Sequence, residues 1–173
     1  MWQDKLNKQY SEVVHILGRR ELPADSYSGK LVRRDMMQAD KADAIFAVGT
    51  IGSNGFVDGG TAYATTRGII RGIPVYIFDQ KDNTWKVWNK EQNKFVITSQ
   101  PKLTPKAATI GTREIQKSGK NAITSILKDL KQNIPSNESQ YTTEMQDILD
   151  NASRNEQSQL LAPNGKVSNL NER

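Results

Sequence analysis

Apolar positions recur at three- and four-residue spacing along the first part of the chain. Leu6, Tyr10, Val13, Val14 and Leu17 share one face of a first helix, which Gly18 ends. Leu22–Tyr27 contains Pro23 and reads as a connection. Ser28–Ala39 reads as a second helix with Leu31, Val32, Met36 and Ala39 inward. The pattern then changes to a continuous apolar run, Ala44-Ile45-Phe46-Ala47-Val48, which suits a strand buried on both faces of a parallel sheet. A loop from Gly49 to Phe56, a helix at Gly60–Arg71 and a second apolar run, Pro74–Phe78, complete a βαβ unit.

Past Asp79, Thr84–Trp88 and Lys94–Thr98 read as a hairpin around the polar turn Asn89–Asn93. Ala107–Ile110 reads as one more short strand. Thr112–Gln132 is the longest predicted helix, with Ile115, Ala122, Ile123, Ile126, Leu127 and Leu130 on one face. Gly119 weakens it locally by roughly 1 kcal/mol relative to Ala, and Pro135 follows its end. The expected fold is therefore α/β: a Rossmann-like parallel sheet flanked by helices, with a small β-hairpin after the second core strand. Residues 1–133 form the domain. Residues 134–173 read as a polar linker or tail with one short helix at Thr142–Ala152.

Charge sharpens this division. Residues 1–133 carry 21 Lys+Arg against 13 Asp+Glu, whereas residues 134–173 carry 3 against 6. The 173-residue chain has no Cys, which removes disulfides, thiolate metal sites and Cys nucleophiles. A single His, His15, makes a His-rich metal site impossible; flanked by Val14 and Ile16, it reads as structural. No apolar run approaches the roughly 18–20 residues of a membrane span, and MWQDKLNKQY does not read as a signal peptide. The expectation is a soluble, cytoplasmic protein with no membrane partner, no metal and no cofactor.

Candidate chemistry concentrates where the two apolar strands end. Gly49, Thr50, Ser53 and Asn54 follow the first strand and lead to Asp58-Gly59-Gly60-Thr61 at a helix start. Ligands of open α/β sheets bind at such carboxyl ends. Paired glycines let backbone N–H groups approach an anion at the helix N-terminus. An ordinary turn, with Asp58 as helix cap, explains the same residues. Asp79 and Glu114 are the carboxylates for ribose hydroxyls or acid/base work. Glu114 also suits the first helical turn, with Thr112 as N-cap. Arg113 suits a phosphate, and Trp85 either a stacked base or the core. Arg33, Arg34, Arg67, Arg71, Lys117, Lys120, Lys128 and Lys131 form a basic stripe, either solvated helix surface or a nucleic-acid groove.

Residues 40–115, a little under half of the chain, resemble the SLOG superfamily of Rossmann-like domains, which includes the LOG phosphoribohydrolases and the DNA-processing protein A group. The resemblance rests on the strand Asp43–Gly49, the Asp58–Thr61 turn with its helix, and the strand Pro74–Asp79 ending in Asp79-Gln80. Trp85 and residues 108–114 (ATIGTRE) resemble a phage- and mobile-element-associated branch. The resemblance implies a nucleotide or nucleotide-derived ligand beside Thr50 and the Asp58–Thr61 turn, and a homodimer. Two departures stand out. The LOG enzymes' Gly-Gly-x-Gly-Thr-x-x-Glu has Thr65 and Thr66 here near the position of its Glu. The relatives' first strand and glycine-rich loop have no counterpart, so part of the site is missing, supplied by another chain or not needed. Leu160–Leu170 resembles a junction segment of large polyvalent proteins of phages and mobile elements, which implies a fragment or short form of a longer polypeptide.

Three functions follow as expectations. The first is a binding module in which Gly59, Gly60 and Thr61 hold phosphate, Asp79 a ribose hydroxyl, and Thr50, Ser53 and Asn54 supply polar contacts. The second is an N-glycosidic-bond hydrolase using Asp79, Asp58 or Glu114. The third is a nucleic-acid-binding or assembly protein using the basic helices.

Overall fold

A computed structural model describes residues 1–133; the expected helix at Thr142–Ala152 and the 160–170 segment lie outside the described residues. The chain runs α1 (Trp2–Leu17), α2 (Tyr27–Lys41), β1 (Ala44–Gly49), α3 (Thr61–Arg71), β2 (Val75–Asp79), β3 (Thr84–Asn89), β4 (Lys94–Ile97), β5 (Ala107–Gly111) and α4 (Lys117–Asn133). The fold is α/β and Rossmann-like, built on a five-stranded mixed sheet of order β4-β3-β2-β1-β5.

β1 lies in the parallel core. All six of its residues are buried, and it pairs in parallel with β2 (Ile45 opposite Val75) and with β5 (Ile45 opposite Ala108). This is why its sequence is apolar without alternation. β3 and β4 add an antiparallel ribbon beyond β2. Asn83 and Asn93 take positive φ (56° and 51°) at the two turns, a conformation that Asn tolerates through its short polar side chain.

The two sheet faces divide the helices. On one face Ile45, Ala47, Val75, Ile77 and Ile110 pack with Ala39 of α2 and Ala64 of α3. On the other, Ala44, Phe46, Val48, Phe78 and Trp85 pack with Ala122 and Ile126 of α4. α1 joins a separate cluster, in which Tyr10, Val13, Val14 and Leu17 meet Val32 and Met36 of α2 and Ala62 and Tyr63 of α3. Tyr10 and Tyr63 stack with ring centroids 5.9 Å apart. A polar tie joins α2 to α3, Arg67 Nε donating to Asp40 Oδ1 at 2.6 Å. The Gln9 amide of α1, oriented with its oxygen toward Arg67 and its nitrogen toward Asp40, completes the group.

Several expectations are corrected. The last helix begins at Lys117, not at Thr112. Thr112 N instead donates to Val48 O at 3.1 Å, continuing the pairing of β5 with β1. Thr112 is therefore no N-cap, and Glu114 lies outside the first helical turn. The α4 stripe is narrower than its periodicity suggests: Leu127 and Leu130 are each 44% exposed. His15 is exposed as well, because the apolar face of α1 passes through Val13, Val14 and Leu17. Lys94–Ile97 ends one residue earlier than the predicted strand.

Candidate functional site

The loop between β1 and α3 closes on itself. Ile51 and Val57 form an antiparallel bridge, Gly52 N donates to Phe56 O (2.8 Å), and Asp58 N donates to Thr50 O (2.8 Å). At the tip, Asn54 Oδ1 accepts from Phe56 N at 3.1 Å. Phe56 stacks on Trp88 with centroids 5.8 Å apart, and Trp88 meets the edge of Phe95. The loop is thus pinned to the β3–β4 ribbon by aromatic contacts, leaving Ser53 and Asn54 exposed. Gly49 serves this packing, since a Cβ there would stand 3.0 Å from Val57 Cγ1.

Asp79 lies beneath the loop with its side chain 3% exposed. Its Oδ1 accepts from Ile51 N (3.4 Å) and Lys81 N (3.1 Å), and its Oδ2 from Lys86 Nζ (2.7 Å). Both oxygens therefore face protein donors, and Asp79 anchors the loop to the β2–β3 turn. Lys86 also reaches Asp82 at 2.7 Å. Burial alone lowers the Lys86 pKa, but its bonds to Asp79 and Asp82 outweigh burial and leave it raised.

The turn before α3 is open. Gly59 has φ +70°, and a Cβ at Gly59 or Gly60 would meet nothing within 4 Å. Gly60 is the N-cap of α3 and makes no side-chain cap bond; Asp58 is exposed and does not cap the helix. Thr61 is buried at the first helical position. Arg19, just past α1, donates from Nη1 to Gly59 O at 2.7 Å and lies 5.3 Å from the Tyr63 ring centroid. Across the edge, Arg113 follows β5 and lies 5.9 Å from the ring of Tyr27, which opens α2 and is 73% exposed. Glu114 is exposed beside it. The backbone there is held by Gln80, whose Nε2 donates to Glu114 O (3.3 Å) and whose Oε1 accepts from Gln116 N (2.6 Å).

Gly59, Gly60 and Thr61 follow β1 and Arg113 follows β5, so both segments leave the carboxyl ends of adjacent parallel strands. The structure sends others elsewhere. Trp85 is 6% exposed on the α4 face, edge-on to Phe78, which is the core environment rather than an open stacking surface. Thr65 and Thr66 are each 1% exposed within the helical layer, and the Thr65 hydroxyl turns back to Thr61 O and Ala62 O. The basic stripe does not form one surface. Arg67 is paired to Asp40, Arg71 Nη1 donates to Ala39 O and Ala42 O, and Arg33 donates to Leu22 O and Gly29 O. The four lysines of α4 belong to the opposite face of the sheet.

Sequence reading missed Arg19, Tyr27 and Gln80. Arg19 and Gly59 are 40 residues apart, and no spacing rule pairs them; the only local signal is a cation directly after a helix-ending glycine. Among the described residues no three His, Asp or Glu side chains converge on a metal-sized site, and no helix is long and apolar enough to cross a membrane. No family model, curated protein or solved structure matches the chain.

Proposed function

We propose that this domain binds a nucleotide or nucleotide-derived ligand at the carboxyl edge of β1 and β5, with its phosphate at Gly59-Gly60-Thr61. The observation that carries the reading is the uncapped, open start of α3 at the point where the sheet changes direction. β1 leads through α3 to β2 on one side, while β5 on its other side leads to α4 on the opposite face. Such switch points leave a crevice. The N–H groups that open α3 have no side-chain acceptor at the cap, and the helix dipole favours an anion there. Arg19 and Arg113 add positive charge from two further elements. Tyr27 offers an exposed ring for a base, and Thr50 and Asp58 flank the turn.

The test is thermal denaturation with a panel of nucleoside mono-, di- and triphosphates and ADP-ribose-type compounds. A ligand at a hundredfold excess over its Kd stabilises the folded state by about 2.7 kcal/mol. That raises the melting temperature by about 10 °C, at roughly 4 °C per kcal/mol. Gly60→Val abolishes the shift without unfolding the domain, because its side chain enters open space that the ligand needs. A shift that persists in Gly60→Val, or no shift from any phosphate-bearing compound, refutes the proposal.

A further inference from the structure

α1 is amphipathic along its whole length, but only its second half is covered. Tyr10, Val13, Val14 and Leu17 are buried against α2 and α3, whereas Leu6 is half-buried and Trp2 is 64% exposed. The first two turns of α1 stand over a face of α2 formed by Lys30, Arg33, Arg34 and Met37, spaced i, i+3, i+4 and i+7. Between them lies an open hollow of about 480 Å³. It shares Asn7, Ala24 and Arg33 with a second hollow of about 450 Å³ beside Leu22 and Pro23, so the two form one trough along the helices.

We propose that this trough is the docking site for an acidic amphipathic helix of a partner protein. Charge complementarity carries the choice. The first hollow is lined by three cations and no acidic residue, and the second adds one carboxylate, Glu21, which accepts from Ser11 Oγ, so cations outnumber acids three to one along the trough. Lys30 makes no ion pair among the described residues, and the ion-pair partner of Arg34 is its own neighbour Asp35. Arg33 lies over the Tyr10 ring, 3.9 Å from its centroid, and its Nε is buried with no hydrogen-bond partner. A carboxylate entering the trough meets the exposed Lys30 ammonium and Arg34 guanidinium, while Arg33, held by Leu22 O and Gly29 O, adds its charge from the floor. The apolar side chains Trp2, Leu6 and Met37 line the same hollow, which matches one helix presenting apolar residues on one stripe and Asp or Glu beside it. A second copy of this chain would bring the same three cations against their own kind. The trough uses none of the residues assigned to the nucleotide edge.

The test uses the full chain and a fluorescent 15-residue peptide with Leu at helical i, i+3, i+4 and i+7 positions and Glu at most others. Two controls carry Lys for every Glu, or the same composition with the Leu stripe scrambled. Anisotropy titration is expected to give a Kd in the micromolar range for the Glu peptide and none for the Lys peptide. Lys30→Glu with Arg34→Glu, both at exposed positions, weakens binding at least tenfold, and Trp2→Ala at least threefold. Circular dichroism and urea midpoints show that both variants remain folded, and Gly60→Val leaves peptide binding unchanged. The proposal is overturned by no binding of the Glu peptide, by equal binding of the scrambled peptide, or by indifference to the Lys30/Arg34 change. It is equally overturned if Gly60→Val abolishes peptide binding, or if a single-stranded oligonucleotide binds more tightly through Lys30 and Arg34.

Discussion

Asp79 shows how one residue changes meaning between sequence and structure. At the end of an apolar strand it reads as a ligand carboxylate. In the fold it is buried, bonded to Ile51 N and Lys81 N and paired with Lys86. Removing Lys86 alone leaves that carboxylate buried without its cation, so Lys86→Met is expected to destabilise the domain by about 3 kcal/mol in urea unfolding. Adding Asp79→Asn keeps an acceptor for the two N–H groups and removes the charge. The double variant is expected within about 1 kcal/mol of wild type. A double variant as unstable as the single one would mean that Lys86 acts by packing. The glycine turn was legible as a turn into a helix, because Gly59-Gly60 stands directly before the periodic stretch that became α3. Arg19 and Gln80 were not, since their roles depend on contacts across 40 and 34 residues. Trp85 was ambiguous because burial and stacking call for the same side chain.

Most elements were legible from periodicity alone. The apolar runs at residues 44–48 and 74–78 became the parallel pair, and the α1 stripe became its buried face. The start of α4 was misplaced because Thr112 and Glu114 carry good helix-start chemistry. Pairing of Thr112 with Val48 O and capture of Gln116 by Gln80 overrode that local preference. Gly119 is the other half of this story. In an isolated helix it is a liability of about 1 kcal/mol relative to Ala. Here it is buried, and a Cβ would collide with Val48 Cγ1 and stand 2.7 Å from Gln80 Oε1. The close approach of α4 to β1 depends on it. Overpacking of about 1–3 kcal/mol offsets or exceeds the propensity gain of about 1 kcal/mol, and with a Cβ driven into Val48 Cγ1 the upper end applies, so Gly119→Ala is expected to lower stability by about 2 kcal/mol. A stabilised Gly119→Ala in urea titration would show that α4 does not sit on Val48.

At the scale of the whole molecule, four titrating groups with shifted pKa values couple stability to pH, two on the acid side and two on the alkaline side. Thr104 Oγ1 donates to the Asp43 carboxylate, as does Lys106 N, and these bonds hold Asp43 below its ordinary 3.8. Asp82 is lowered by Lys86 and Thr84. A folded-state pKa below the unfolded value means that the unfolded chain takes up protons first as pH falls. The stability from both groups is therefore present above about pH 4 and is lost as pH drops through their lowered values. On the alkaline side burial raises Tyr10, and the carboxylates raise Lys86 above its ordinary 10.5. Stability from these two groups is present below about pH 10 and fades as pH rises past it. Urea midpoints measured from pH 2 to 11 are expected to fall at both ends. Asp43 links the start of β1 to the segment that enters β5, so its loss should be felt across the parallel core. Thr104→Val removes the leading cause of the Asp43 shift, so it should lower urea midpoints above about pH 4 more than at pH 2, making the acid limb shallower while leaving the shape of the alkaline limb in place. An unchanged acid limb in Thr104→Val would assign acid unfolding to other carboxylates.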